Sequence, residues 1–348
     1  MPLDRVQTRE QLGELWQDKS VGVLEAKGQK YAIISDLHMG DGGDADDFYK
    51  NEPALLNALE HYRTNGYTLI LLGDVEELWQ FDLEKIVDRY KNTVYAKIQS
   101  FGDRRVHRIY GNHDFEWGGF EDPAKVVSKK SKLAEEALRM KDVNGKEAIL
   151  LVHGHQGSID SDKFSWFSRF FVRLYKPVEP LVRLTGLLGH GAATKSAVAH
   201  DYERTYYSWA KKNKVIVICG HSHRAIFASK SYADKLLDDI AALRAKNSMR
   251  GTRLTTKLKN LREIDRLERE WKDERDKGRM VEIGEATEDP LPCYFNSGCG
   301  LFDDGITNLE INGDQIRLVK WHRQPEDGKK YVEFSKGKLS EFVKKTTA

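Results

Sequence analysis

The chain is poor in the features that mark secreted, membrane-spanning or disordered proteins. It has only three cysteines, Cys219, Cys293 and Cys299, in 348 residues. That is too few for a disulfide framework and matches no zinc-binding spacing, so a reducing compartment is expected. Eight prolines and a hydrophobic content of 40% indicate an ordered globular chain. No apolar run reaches the ~20 residues of a membrane span. The opening MPLDRVQTREQLGELW lacks the apolar core of a secretory signal, which gives a cytoplasmic expectation. Net charge is only +2, so nothing general draws the chain to polyanions. With no RRM, OB or helix-turn-helix signature, nucleic acid is not an expected partner. No repeat of 20–50 residues is present, and residues 1–348 read as a single domain.

What is present is a recurring pattern. Thr68–Leu72 is a short continuous apolar run, as expected of a strand covered on both faces, and it stops at Gly73-Asp74. The same event recurs four times. Residues 31–35 lead into Asp36-Leu37-His38, and 106–110 into Gly111-Asn112-His113-Asp114. Residues 148–152 lead into His153-Gly154-His155, and 215–219 into Gly220-His221-Ser222-His223. Five strands thus each deliver Asp, Asn or His at the carboxyl edge, where open α/β sheets bind ligands.

Between these strands, helices are expected over 53–65, 83–99 and 123–140, which makes the class α/β with parallel βαβ units. Residues 1–30 read as a charged lead-in with a helical turn near 11–16. Residues 41–47 are an acidic turn lacking the ligand spacing of a calcium loop. Two insertions interrupt the rhythm: an aromatic and basic one over 158–212 and a charged helical hairpin over 230–288. In the hairpin, Leu236, Leu237, Ile240, Leu243, Leu254, Leu258, Leu261, Leu267 and Trp271 recur at three- and four-residue spacing, with a turn at 247–251. Short strands follow at 294–296, 306–311 and 316–321, with Asn312-Gly313 as a hairpin turn. The Lys-rich tail is expected to fray.

Mixed Asp, Asn and His donors suit divalent Mn, Fe, Zn or Co, whereas magnesium and calcium favour all-oxygen shells. Donors from five elements exceed what one ion needs, and two ions sharing a carboxylate would use them all. Such a pair, roughly 3.5–4 Å apart, activates water and clamps a phosphoryl group.

The ordered set Asp-x-His, Gly-Asp-x-x-Glu, Gly-Asn-His-Asp, His and Gly-His-x-His resembles the calcineurin-like metallophosphoesterases over roughly 31–321, outside the two insertions. The resemblance implies a four-layer fold of two packed mixed β-sheets flanked by helices. It also implies two divalent ions, manganese first, with iron, zinc or cobalt as alternatives. One ion would be held by Asp36, His38, Asp74 and His223, the other by Asp74, Asn112, His153 and His221, with Asp74 bridging. A hydroxide between the ions would be the nucleophile in phosphomonoester or phosphodiester hydrolysis. His113 would be the general acid, oriented by Glu77. His155 and Arg224 are the candidate substrate contacts.

Within the superfamily, SDLHMG, LLGDVEELW, GNHDFEW and GHSH are most similar to the branch of UDP-2,3-diacylglucosamine pyrophosphatases. That branch implies an alternative substrate, a lipid-linked nucleotide sugar. Residues 164–175 (FSWFSRFFVRLY) would then form a helical lid, with peripheral contact at the inner membrane surface. The chain departs from the branch at His113, where the branch carries Arg, which favours an ester substrate. A second alternative is a non-catalytic binding scaffold of the same fold, against which the complete donor set argues. The expected partner is a phosphorylated small molecule or a lipid-like substrate.

Overall fold

The computed structural model describes residues 4–115, 135–157, 197–249, 253–276, 290–326 and 328–348. In chain order the strands are β1 (Gly22–Glu25), β2 (Lys30–Ile34), β3 (Thr68–Leu72), β4 (Val106–Ile109), β5 (Ala137–Lys141), β6 (Glu147–Val152) and β7 (Ile216–Cys219). Then come β8 (Ala225–Phe227), β9 (Lys230–Ser231), β10 (Tyr294–Ser297), β11 (Gly305–Asn312), β12 (Gln315–Glu326) and β13 (Lys329–Lys338). They form two mixed sheets, ordered β13-β12-β11-β2-β3-β4 and β1-β5-β6-β7-β10-β8-β9. Strands β2, β3 and β4 run parallel in the first, and β6, β7 and β10 in the second.

Alternation along each strand divides its side chains between two cores. Ile33, Ile70, Leu72 and Ile109 from one sheet meet Ile149, Leu151, Ile216, Ile218 and Phe295 from the other. On the outer face of the first sheet, Ala32, Ile34, Leu69 and Leu71 pack under the helix Glu52–Thr64 and the helical run Leu83–Tyr90, Lys91–Tyr95 and Ala96–Gln99. Leu150, Val152, Val217 and Cys219 pack under Arg5–Gln17 and Ala197–Asn213. The resulting order of layers is helix, sheet, sheet, helix. Coverage on both sides is why β3, β6 and β7 read as apolar runs, whereas the edge strand β4 carries partly buried His107 and Arg108.

Several expectations need correction. The helix expected over 123–140 is contradicted at its end, because Ala137–Lys141 is a strand pairing antiparallel with β6. Leu138 and Met140 point to the inner core with a period of two, and Asp142 closes the turn by accepting from Asn144 N and Lys146 N. The lead-in is a thirteen-residue helix capped by Asp4, followed by the edge strand β1. The tail is not frayed. Strand β13 pairs with β12, and the helix Leu339–Thr347 sends Leu339 and Val343 into the core between the sheets beside Phe334. Residues 164–175 lie outside the described residues. The last part of the expected 158–212 insertion is the helix Ala197–Asn213, whose Tyr206, Trp209 and Ala210 belong to the outer core.

The hairpin consists of Tyr232–Ser248 and Leu254–Asp276, starting from a capping box at Ser231 and Asp234. Its own small core holds Leu236, Ile240, Ile264 and Leu267. Leu237, Leu254, Leu258 and Leu261 are exposed instead.

A docked tail has a measurable consequence. Leu339→Ala removes a fully buried side chain, and a cost of about 2–5 kcal/mol is expected in urea unfolding. A change near zero would restore the frayed-tail reading.

Candidate metal centre

The candidate ligands occupy turns at the carboxyl ends of β2, β3, β6 and β7 and the exit of β4. These turns are held in unusual backbone conformations. Asp36, His38, Asp74, His221 and His223 all have positive φ, between 49° and 66°. Left-handed backbone costs a residue with a side chain about 1–2 kcal/mol, so its concentration at these positions points to a functional constraint. The two ligand turns are stitched together, with Asp36 N donating to Gly73 O and His38 N to Asp74 O, both at 3.0 Å. Two glycines permit the approach. A Cβ on Gly111 would collide with Asp74 Oδ1, and one on Gly220 with Asp36 Oδ2 and Ser35 Oγ.

Three donor groups converge: Asp36, His38 and His223; Asp74, His153 and His221; and His38, Glu77 and His113. His38 Nε2 lies 3.2 Å from His223 Nε2, which is 3.3 Å from Asp36 Oδ1. Asp74 Oδ2 is 3.0 Å from His153 Nε2 and 3.7 Å from His38 Nε2, so it stands between the first two groups. Two donors that each bind one ion at ~2.1 Å sit roughly 3–3.4 Å apart, which is the spacing seen here.

Outer contacts set the ring orientations. His153 Nδ1 donates to Leu72 O at 2.9 Å. A carbonyl only accepts, so neutral His153 presents the lone pair of Nε2 to Asp74 and to any cation there. Glu77 holds two imidazoles by Nδ1, His38 through Oε2 and His113 through Oε1, both at 2.8 Å. Buried Asn112 Oδ1 has no hydrogen-bond partner, and His153 Nε2 faces Asp74 without hydrogen-bond geometry. An unsatisfied acceptor of this kind is costly unless a cation fills the space. The donor set therefore fits divalent metal.

The electrostatics are those of buried acids held by buried bases. Burial raises the Asp74 carboxyl, but His153, His113 and His38 outweigh it and hold the group well below the ordinary range. Glu77 is likewise opposed by burial yet drawn down to about 2 by His113 and His38. Burial disfavours charge on His38, but Glu77 and Asp74 push it up to about 9; Asp74 similarly lifts His153 to about 10. Burial and the neighbouring His153 keep His221 well below the usual histidine range.

The structure places the two expected substrate contacts differently from the ligands. His155 is buried, and burial with His153 pushes it down to about 3, so it is neutral. Arg224 is buried in an ion pair with Glu203 at 3.0 Å and lies 3.3 Å from His200 Nε2. Its guanidinium braces the helix Ala197–Asn213 and engages Glu203 and His200 instead of facing a substrate. Asp114 braces its own turn, accepting from Gly111 N and Val75 N. Sequence reasoning missed Trp79, which stacks on His113 with centroids 4.0 Å apart and planes 23° apart. It also missed Tyr202, edge-on to His221 at 4.8 Å. The one available signal for Trp79 was an aromatic residue two positions beyond Glu77.

Residues 29–225 match the family model described as calcineurin-like phosphoesterase, which is more than half of the chain. The chain belongs to this family. No curated protein gives a significant match.

Metal ligation requires neutral imidazoles. In metal-free protein His38 and His153 keep their protons to about 9 and about 10, so a metal must displace them. Affinity is expected to rise as pH increases through neutral towards 9, with proton release on binding. Calorimetry in buffers of different ionisation enthalpy measures both. A pH-independent affinity would show that these rings are not ligands.

Proposed function

We propose that the chain is a two-metal phosphoester hydrolase acting on phosphomonoesters or phosphodiesters. The observation that carries this reading is the position of Asp74 between two donor groups, with His113 joined to the same cluster through Glu77. Asp36, His38, Asp74 and His223 would hold one cation, and Asp74, Asn112, His153 and His221 the other. Two divalent cations there would activate water and offset phosphoryl charge. Mixed nitrogen and oxygen donors suit manganese, iron, zinc or cobalt.

The chain's own contribution is mainly positional. Asp74 spans the two groups while its Oδ1 accepts His113 N at 2.8 Å, so the acid is tied to the bridging carboxylate. The carboxylate of Glu77 accepts Nδ1–H of His113, which leaves Nε2 to hand a proton to the departing oxygen. Trp79 limits rotation of that ring by stacking on it. A histidine so placed is most useful when the leaving group is an alkoxide. For that reason the lipid-linked pyrophosphate substrate, whose leaving group is a phosphate, is the second reading. The complete donor set argues against a non-catalytic scaffold.

Variant kinetics test the assignment. General acid catalysis contributes ~10²–10⁴-fold, according to the leaving group's need for a proton. His113→Ala is therefore expected to cost little with p-nitrophenyl esters and within that range with alkyl or sugar phosphates, at unchanged metal content. Glu77→Gln should show the same dependence more mildly and also weaken metal binding, because Glu77 braces His38 as well. An equal loss across leaving groups would assign His113 to charge stabilisation, and loss of metal would make it a ligand.

A further inference from the structure

The helical hairpin has an uneven distribution of charge and apolar surface that the hydrolytic site does not use. Between Arg244 and Arg262 there is no acidic residue. The described cations of this stretch are Lys246, Arg253, Lys257, Lys259 and Arg262, with Arg244 at its start paired to Glu268 across the hairpin. Acids gather on either side, at Asp234, Asp238 and Asp239 in the first helix and from Glu263 onward in the second. The described residues of the basic stretch, 244–249 and 253–262, occupy the end of the first helix and the start of the second, which is the tip of the hairpin. The acidic parts lie nearer its root, where the Tyr232 ring stacks on Phe334 at 3.8 Å.

The tip also carries the hairpin's most exposed apolar side chains. Leu254 is 72% exposed, Leu258 51%, Leu261 50% and Met249, just past the end of the first helix, 62%. With roughly 100° between successive residues, Leu254, Leu258 and Leu261 share one narrow face of the second helix. Lys257 lies to one side of that stripe and Arg262 to the other. Asp265 continues the same face and ends it. Further along, Ile264 and Leu267 turn inward to the hairpin's own core, so the exposed leucines are not part of what holds the two helices together.

We propose that the hairpin tip docks the protein on an anionic lipid surface, with the leucine stripe entering the acyl boundary and the flanking cations meeting headgroups. The chemistry selects this occupant. Leucines gain only from an apolar phase and the cations only from anions, and a bilayer bearing anionic lipid supplies both side by side. A nucleic acid would engage the cations while leaving the leucines in water. A second copy aligned on the stripe would bring like charges together, and one shifted along it would meet Asp265, Glu268 and Lys272. The first helix has seventeen residues. At 1.5 Å per residue the tip therefore stands roughly 25 Å from the root. The root borders a cleft that reaches His223, so a docked tip would keep the hydrolytic site near the lipid surface. The inference does not depend on which ester the site cleaves.

The test is co-sedimentation of the full chain with vesicles, either phosphatidylcholine alone or phosphatidylcholine and phosphatidylglycerol in equal parts. Binding is expected to the anionic vesicles only and to disappear at high salt. Leu254→Ser, Leu258→Ser and Leu261→Ser combined should weaken it by about tenfold or more. Lys257→Glu with Arg262→Glu should abolish it. These side chains are on the surface, so both variants should keep the wild-type circular dichroism and the wild-type hydrolysis of a small soluble ester. Failure to bind, or equal binding to both vesicle types, overturns the proposal. Binding that survives the leucine changes, matched by equal retention on a DNA duplex, would assign the tip to polyanions. Leucine-dependent dimers without vesicles would assign it to self-association.

Discussion

Everything at the centre of this protein depends on keeping the Asp74 carboxylate ionised without water. It is 1% exposed and shares its surroundings with a second buried carboxylate, Asp36. Removing two such charges from solvent costs several kcal/mol each unless cations and hydrogen bonds repay it. The structure answers with His38 and His153, both of which Asp74 helps to hold in the charged form, and with main-chain amides. His113 N donates to Asp74, and His221 N to both oxygens of Asp36 at 3.0 Å. The same groups can instead bind divalent ions, which is why a site that is stable with protonated histidines is also a metal site.

That constraint explains the architecture. A carboxylate can be buried among imidazoles only if several chain segments end at one place with little backbone between them. Parallel strands from two packed sheets do this, because their carboxyl ends share an edge. The cost falls on the turns, five of whose candidate ligands adopt left-handed backbone and whose Gly111 and Gly220 cannot carry a side chain without striking Asp74 or Asp36. Glu77 links the candidate metal ligands to the proposed acid by holding His38 and His113 with one carboxylate. Geometry at one is therefore coupled to geometry at the other.

Much of this could be read in the sequence, and for a physical reason. A strand buried on both faces must be apolar throughout, so Asp74, His153 and His221 stand out where β3, β6 and β7 end, whereas Asn112 follows the edge strand β4, whose His107 and Arg108 are only partly buried. Readings failed where composition and packing disagree. Ala137–Lys141 follows a stretch of good helix formers, yet pairing with β6 decides its conformation. The tail was read from its lysines, whereas Phe334, Leu339 and Val343 point inward and the lysines outward. Arg224 was judged by its neighbour His223, but its partner Glu203 lies on a helix read as part of the 158–212 insertion. Tyr202 reaches the site through folding, with no local spacing to announce it, and Trp79 is signalled only by standing two positions beyond Glu77. The hairpin's leucines share one periodicity, which cannot separate those in its core from those on its tip.

The central claim, that these residues form a two-ion hydrolytic centre, is tested most directly by titrating metal-stripped protein with manganese. Bound metal and turnover of bis-p-nitrophenyl phosphate would be measured on the same samples. The account predicts that turnover is absent without metal and reaches its plateau only as bound metal approaches two ions per chain. Full turnover in the stripped protein, or a plateau at one ion with no further binding, would contradict it.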